Sequence, residues 1–190
     1  MEIRKYKQEL LDKLYAPYHR CIACPLGFQG RKNVVFGEGN PDAQLLFVGE
    51  GPGREEDILG RPFVGKSGKL LDLILELATL KRKEVFITNV VKCRPPGNRK
   101  PLPIESTTCK NLLLFNQIKI IQPQLICTLG SSALEALIEQ KVAITKMRGT
   151  IIKRNGMTIL PTYHPAYILR NRSQLENLAN DIKKAKAFLK

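Results

Sequence analysis

Four short apolar runs, each separated from the next by a helical pattern, constrain this chain more than any other feature of its sequence. The runs are LLFVG at 45–49, VFITNVV at 85–91, LICTLG at 125–130 and MTILPT at 157–162. Strands that alternate with helices predict a mostly parallel sheet with helices on both faces, and continuous apolar strands agree with burial on both sides. We therefore predict one α/β/α domain over residues 1–190, built on a central, mostly parallel four-stranded sheet.

Helical patterns lie before, between and after these strands. Residues 2–18 place apolar side chains at the spacing of a single amphipathic helix. Further helices are predicted at 69–80, 106–121, 131–140 and 173–189. The Asn-Gly pair at 155–156 separates TIIK from MTIL and is typical of a tight hairpin turn.

The charge of the chain points to a polyanionic partner. There are 31 lysines and arginines against 17 aspartates and glutamates, a formal net charge of +14. Nucleic acid is the first candidate for such a surface, and attraction to membranes or ribosomes is the plainer alternative. The N-terminal segment is too charged for a secretion signal, and no apolar run approaches the roughly 18 residues of a membrane span. We expect a cytoplasmic protein with no membrane partner.

The five cysteines fall into two groups. Cys21 and Cys24 form a C-x2-C pair, and Cys93 and Cys109 form a C-x15-C pair. Because disulfides are rare in the cytoplasm and cysteine pairs there more often hold metals or do redox chemistry, a metal site and a thioredoxin-like redox pair are both candidates. Spacing alone leaves zinc and an iron–sulphur cluster open, because four thiolates serve either. Cys127 lies inside an apolar strand and is interpreted as a small buried hydrophobe.

Polar or glycine-rich stretches follow all four predicted strands. They are GEGPGREED, NVVKCRPPGNRKP, GSS and YHPAYILRNR. In open α/β sheets ligands bind beyond the carboxyl ends of the strands, so we expect these stretches to converge on one rim.

Three residues of this rim carry candidate chemistry. Asn89 closes a strand, where asparagine is disfavoured, and a turn cap is the alternative reading of it. His164 lies on a loop between a strand end and a proline, and a structural histidine is its alternative. Phe63 lies in the glycine-rich loop GRPFVGKSG, where core packing competes with stacking on a nucleic-acid base.

Together, GEGPG, GRPFVGKSG, NVVKCRPPGNRKP and HPAYILR resemble the iron–sulphur-cluster branch, family 4, of the uracil-DNA glycosylases. The resemblance covers nearly the whole chain. It implies hydrolysis of the bond between uracil N1 and deoxyribose, with uracil-containing DNA, single- or double-stranded, as substrate and free uracil as product. It also implies a [4Fe–4S] cluster that ties the N-terminal helix to the loop after the second strand. The implied ligands are Cys21, Cys24, Cys93 and Cys109.

The resemblance also assigns roles in the base pocket. Phe63 would stack on the flipped base, and Asn89 would donate to uracil O4 and accept from N3–H. His164 would donate to O2 as negative charge grows on the leaving uracil. Glu50, with the backbone of Gly51, would exclude the thymine methyl group. Gly51 stands where the best-known branch has a water-orienting aspartate, so Glu50 or a backbone carbonyl is expected to orient the water.

Contacts to DNA are expected from two loops. Ile168 or Leu169 would fill the space that the base vacates, and Arg170 would hold a phosphate. The cationic side chains expected to face phosphates in the loop after the second strand are Arg94, Arg99 and Lys100. A monomer is expected, and a sliding clamp is a candidate partner. A non-catalytic iron–sulphur protein that binds nucleic acid and a small redox protein are the rival functions.

Overall fold

The computed structural model describes residues 2–189, and six strands within this range form one sheet. They are β1 (Glu38–Gly39), β2 (Leu45–Gly49), β3 (Phe86–Asn89), β4 (Leu125–Leu129), β5 (Ile152–Arg154) and β6 (Met157–Thr162). Across the sheet the order is β1-β3-β2-β4-β6-β5. The four central strands are parallel, and β1 and β5 pair antiparallel at the two edges.

The predicted α/β/α architecture is confirmed, but the sheet has six strands rather than four. The four predicted strands form its parallel centre. The edge strand β1 escaped prediction because it has two residues and no apolar run, and Gly39 within it has a φ of +132°. The other edge strand, β5, is the first arm of the predicted hairpin, whose turn residues Asn155 and Gly156 have φ of 51° and 73°. Positive φ at both positions is typical of a type I′ turn.

Helices cover both faces of the sheet. They are α1 (Glu2–Tyr15), α2 (Arg54–Leu59), α3 (Lys66–Leu77), α4 (Pro103–Cys109), α5 (Phe115–Ile121), α6 (Ser131–Ile138), α7 (Ile144–Met147), α8 (Pro165–Arg170) and α9 (Leu175–Phe188). A π-helical segment, Lys110–Leu114, joins α4 to α5. All five predicted helices are present with shifted ends, whereas α2, α7 and α8 are too short to show periodicity. Between residues 2 and 189, no helix is both long and apolar enough to cross a membrane.

Two apolar cores lie on opposite faces of the sheet. Alternate residues of a strand point to opposite faces, so Leu46 and Val48 of β2 pack in the core that contains α1 and α6 side chains. Leu45 and Phe47 pack in the core that contains α3 and α9 side chains. Because both faces are covered, the loops at the carboxyl ends of the strands are left to form a site.

A buried ion pair fixes the end of β6, where the predicted rim histidine follows. Asp181 of α9 accepts a hydrogen bond from Thr162 Oγ1 at 2.6 Å. The guanidinium of Arg148 donates to both oxygens of the same carboxylate, at 3.0 and 2.7 Å. These bonds set the position from which the chain leaves the sheet toward His164.

Candidate active site

A cavity of about 680 Å³ lies at the carboxyl ends of β2, β3, β4 and β6. The four polar stretches predicted to converge do so here, because each contributes residues to its wall. The predicted site residues that line the cavity are Glu50, Gly51, Phe63, Asn89, Arg99, His164 and Arg170. Residues that lie far apart in the chain, from Glu50 to Arg170, therefore share one cavity.

Asn89 supplies the most informative polar atom of the cavity wall. It is the last residue of β3, and its side chain is 1% exposed. Within residues 2–189, no group donates a hydrogen bond to its Oδ1. A buried acceptor left unpaired destabilises the fold by about 1–3 kcal/mol. A bound group that donates a hydrogen bond to this oxygen would remove that destabilisation. Because Asn89 also lines the cavity, its Oδ1 is free to accept a hydrogen bond from a group that enters there.

Gly49 makes room for that amide and for an aromatic ring. It pairs with Asn89 in the parallel register of β2 and β3. A Cβ atom at Gly49 would lie 2.4 Å from Asn89 Oδ1 and 2.6 Å from Phe63 Cζ. Both distances are well below van der Waals contact, so a residue without a side chain lets the ring and the amide approach the same point.

Phe63 is held in an unusual backbone conformation. Its φ is +49°, in the left-handed region that side chains other than glycine rarely occupy. Such strain costs about 1–3 kcal/mol and persists only where neighbouring contacts impose it. Arg82 donates to the carbonyls of Phe63 and of the preceding proline, at 3.2 and 2.6 Å. The ring is therefore fixed by its loop as well as by its packing.

Glu56 joins the Phe63 loop to the loop after β2. Its Oε1 accepts hydrogen bonds from the amides of Val64 and Gly65, at 2.9 and 2.8 Å. Its Oε2 accepts from the amide of Gly53 at 3.1 Å. One carboxylate thus sets the distance between two walls of the cavity.

His164 faces Phe63 with its protonation state fixed by geometry. The ring centroids are 5.6 Å apart, and Nδ1 accepts a hydrogen bond from the Ala166 amide at 3.0 Å. The ring proton therefore lies on Nε2. Burial lowers the pKa of His164 to about 4, a fall that Glu56 opposes and Arg170 adds to. His164 is a neutral imidazole that presents an N–H donor at neutral pH.

Glu50 and Gly51 form the part of the wall that follows β2. Both are half-buried and line the cavity. A Cβ at Gly51 would lie 2.7 Å from Val91 Cγ2, so a larger residue there requires the valine to move. Glu50 is therefore the residue of this pair that brings a carboxylate to the cavity wall, since position 51 has no side chain.

The cationic residues predicted to face phosphates differ in availability. Arg99 binds both oxygens of the buried Glu105 carboxylate, at 2.8 and 2.7 Å, and the Arg99 hydrogen bonds hold the pKa of Glu105 below its usual value. Lys100 is exposed and donates to Glu135 at 3.2 Å. Arg94 donates through Nε to Asn98 at 2.7 Å. Arg99 is the most fully engaged of the three, and its charge is already neutralised.

The structure distinguishes Ile168 from Leu169. Ile168 is 2% exposed and belongs to the core shared by α3 and α9, so the expectation that it enters DNA does not agree with its position. Successive residues of a helix point about 100° apart, and Leu169 is 43% exposed. Arg170, next in α8, is exposed at the cavity. Leu169 is therefore the residue of the predicted pair that can reach DNA.

The four cysteines of the predicted metal site line one small pocket. Cys21 and Cys24 follow α1, Cys93 follows β3, and Cys109 ends α4 beside the π-helical segment. Burial raises the pKa of Cys93 to about 12 and that of Cys109 to about 11. Thiols in this setting become thiolates most readily when a metal group binds them. Cys127 lies in the other core with 0% exposure, as predicted.

One sulphur of the cysteine pocket already accepts a hydrogen bond from the backbone. Among residues 2–189, no group of three or more histidine, cysteine, aspartate or glutamate side chains is placed to hold one metal ion. The amide of Lys92 donates to Cys109 Sγ at 3.3 Å, and hydrogen bonds of this kind are typical at the sulphurs of iron–sulphur clusters. The four thiols therefore share one pocket, and a backbone amide already binds one of the sulphurs.

Sequence reasoning missed three residues that organise the site. Glu56 is one of three consecutive acids, and acids are common in the first turn of any helix. Gly49 ends a strand and looks like ordinary turn punctuation. Lys92 is fully buried, and burial lowers its pKa to about 7 while the neighbouring Cys109 and Cys93 oppose that fall. A lysine between apolar residues and a cysteine in NVVKC was the one available signal.

Comparison with known proteins shows one consistent similarity. The model of the family described as "Uracil DNA glycosylase superfamily" matches residues 36–190. A Type-4 uracil-DNA glycosylase of Thermotoga maritima is 49% identical over 188 residues, covering 97% of each chain. The Type-4 uracil-DNA glycosylase of Sulfurisphaera tokodaii is 45% identical over 92% of this chain and 82% of its own. That of Archaeoglobus fulgidus is 38% identical over 93% of this chain and 92% of its own.

Replacement of Gly49 by alanine tests the shared contact point of the ring and the amide. The added Cβ must displace Phe63 or Asn89, and a displacement of about 1 Å in an active site can cost about 10² in rate. We expect Gly49→Ala to slow uracil release from DNA, the activity for which the relatives are named, by about that factor. Overpacking should lower the free energy of unfolding by only about 1–3 kcal/mol.

Gly156→Ala is the matched control. Gly156 also has positive φ, but a Cβ there would meet no atom of the described residues within 4 Å. This variant should lose about 1–2 kcal/mol of stability and keep the wild-type rate. A Gly49→Ala protein as fast as the wild type would show that the close approach of ring and amide is unimportant.

Proposed function

This chain belongs to the uracil-DNA glycosylase superfamily, and on that premise we propose how its cavity removes uracil from DNA. The resemblance predicted from the sequence motifs is confirmed by the family match and by relatives that are 38–49% identical over nearly their full lengths. The chain is a DNA repair glycosylase, which hydrolyses the N-glycosidic bond of uracil and leaves an abasic site. The assignment of individual residues is the proposal.

The unpaired Oδ1 of Asn89 is the observation that carries the proposal. Uracil presents a donor at N3–H beside an acceptor at O4, and a side-chain amide offers the complementary pair. Oδ1 would accept from N3–H while the amino group donates to O4. A base with an N3–H in the cavity would then satisfy this acceptor.

Phe63 would supply the stacking surface for that base. Enzymes that act on a base in DNA first extrude it from the stack into a pocket, and a cavity of about 680 Å³ is large enough for a nucleotide. Stacking on an aromatic ring is worth about 1–3 kcal/mol per base. Because the loop already holds the Phe63 ring in place, little ordering is needed when uracil enters.

His164 would stabilise the leaving group. As the bond to deoxyribose breaks, the sugar becomes cationic and negative charge develops on uracil O2. A donor that meets this charge is the largest type of catalytic contribution in such sites. The neutral imidazole offers Nε2–H for this purpose, since Nδ1 is occupied by the Ala166 amide.

Glu50 is proposed to orient the attacking water and to exclude thymine. No carboxylate is available at position 51, while Glu50 lines the cavity on the same loop. A backbone carbonyl of this loop is the alternative acceptor for the water. Rejection of thymine would come from Glu50 and the Gly51 backbone, which would contact C5 of the bound base.

Contacts to DNA are proposed for the exposed end of α8 and for the loop after β3. Leu169 would fill the space that the flipped nucleotide leaves, and Arg170 would hold an adjacent phosphate. Arg94 and Lys100 are the more available cations of the second loop, since Arg99 is already paired with Glu105. The net charge of +14 favours phosphate-dominated binding to single- or double-stranded DNA.

A [4Fe–4S] cluster is proposed for the cysteine pocket, held by Cys21, Cys24, Cys93 and Cys109. Four thiolates form the ligand set of such a cluster, and the pocket brings these four together. When bound, it would supply a cross-link between the segment after α1 and the loop after β3. No step of base removal is assigned to it.

The remaining features are proposed on more general grounds. Residues 1–190 would form one uracil-DNA glycosylase-like domain that acts as a monomer. A DNA substrate favours the cytoplasm as its compartment, and a sliding clamp is a candidate partner because it would bring the enzyme to newly made DNA.

Release of free uracil from a synthetic oligonucleotide tests the function directly. Purified protein should release uracil from a uracil-containing strand and leave an identical thymine-containing strand intact. DNA binding without release would support the rival, a non-catalytic iron–sulphur protein that binds nucleic acid.

The role of His164 predicts a loss of rate without a loss of affinity. His164→Ala should reduce the single-turnover rate by about 10²–10³, the usual effect of removing one oxyanion donor. Binding to uracil-containing DNA should change little, because phosphate contacts supply most of that affinity. Because the pKa is about 4, the wild-type rate should show no inflection from His164 between about pH 6 and pH 8. A parallel loss of affinity would instead make His164 a docking residue.

The cysteine assignment predicts a specific metal content. Protein purified without oxygen should be brown and hold about four iron atoms per chain, since four thiolates suit one cubane. Cys127→Ala should keep the iron, whereas Cys93→Ser should lose it, as measured by absorbance and metal analysis. One zinc per chain with no iron would contradict the assignment.

A further inference from the structure

Lys92 places a side-chain nitrogen in the interior beside the base pocket. It lies three residues after Asn89, and its side chain is 0% exposed. Its Nζ donates to Thr88 Oγ1 at 2.6 Å, to the Asn89 carbonyl at 2.7 Å and to Gln117 Oε1 at 2.6 Å. Three acceptors match the three N–H donors of an ammonium group.

The two side-chain acceptors are themselves fixed in this role. Thr88 Oγ1 gives its own proton to the carbonyl of Phe36, at 2.8 Å. Gln117 donates through Nε2 to the same carbonyl, also at 2.8 Å, which leaves its Oε1 to accept. Satisfied buried networks of this kind rigidify their surroundings. The third acceptor, the Asn89 carbonyl, belongs to the residue whose side chain ends in the unpaired Oδ1.

We propose that Lys92 is a positioning residue, whose Nζ binds the Asn89 carbonyl and thereby aims the Asn89 side-chain amide into the cavity. This inference rests on the proposed function, because it assigns the amide to uracil. Lys92 does not line the cavity and touches no reacting atom. Its effect on base removal therefore passes through Asn89.

Lys92 also connects the base pocket to the cysteine pocket. Its backbone amide donates to Cys109 Sγ at 3.3 Å, and the next residue is Cys93. A variant of Lys92 can therefore disturb metal binding as well as Asn89. The test therefore needs a measurement of iron content and a control variant that disturbs the cysteine pocket without touching Asn89.

Lys110 provides that control. It follows Cys109 directly, is 6% exposed, and donates to Glu139 and to the Ala136 carbonyl, at 2.6 and 3.0 Å. It is thus a second nearly buried lysine beside a cysteine of the same pocket, with contacts that do not involve Asn89. Lys110→Met should alter stability while the rate of uracil release stays at the wild-type value.

The experiment is a double-mutant cycle on the single-turnover rate of uracil release. The proteins are wild type, Lys92→Met, Asn89→Ala and the double variant, each checked for iron content, thermal unfolding and DNA binding. Lys92→Met should be slower by about 10², the cost of a misplacement of about 1 Å, with DNA affinity unchanged. In the Asn89→Ala background the same change should have no further effect beyond about threefold, because the residue being positioned is absent.

Other results for the Lys92 variant would contradict the proposal. A folded, iron-containing Lys92→Met protein with the wild-type rate, or losses that multiply in the double variant, would overturn the proposal. If Lys92→Met does not fold, Gln117→Leu is the second variant, since it removes one acceptor of Lys92 Nζ. It should slow uracil release about tenfold, and it should have no further effect in the Asn89→Ala background. A Gln117→Leu protein with the wild-type rate of uracil release would overturn the proposal. A wild-type protein that releases no uracil would overturn the proposed function and this inference together.

Discussion

The walls of the active site meet at a buried oxygen, Oδ1 of Asn89, which accepts no hydrogen bond from the described residues. Asn89 ends β3, where it pairs with Gly49 of β2 and its carbonyl accepts a hydrogen bond from Lys92 Nζ, yet its Oδ1 accepts no hydrogen bond from residues 2–189. In the proposed mechanism, the cost of about 1–3 kcal/mol would be removed when a base with an N–H donor enters. A base with an acceptor at this position would leave the cost in place, so the same atom would supply selectivity.

The loop beside Asn89 also contains a backbone conformation that is unfavourable on its own. Phe63 has a positive φ, and Arg82 and Glu56 bind the backbone on either side of it. Glycine at position 49 provides the space in which ring and amide meet. Strain of this kind is stable only when the surrounding structure is rigid, and the two apolar cores supply that rigidity. The site is therefore organised before any substrate binds.

The parallel centre of the fold and the composition of the cavity could be predicted because both depend on local sequence patterns. Apolar runs locate the strands, and the rule that ligands bind at their carboxyl ends locates Asn89 and His164. The edge strand β1 has no such pattern. The exposure of Leu169 rather than Ile168 depends on which face of α8 meets the core. Glu56 and Lys92 act through bonds to distant backbone groups, which a sequence does not display.

Asn89→Asp tests the central claim, that the Asn89 amide reads the base, most directly. A carboxylate repels uracil O4 and accepts from the cytosine amino group, so uracil release should fall by about 10⁴–10⁵, the order lost when a matched polar partner is removed from a closed site. Cytosine release from the same oligonucleotide context should rise above the wild-type background. Single-turnover rates on matched uracil and cytosine strands give both values. Uracil release at the wild-type rate by the aspartate variant would contradict the account.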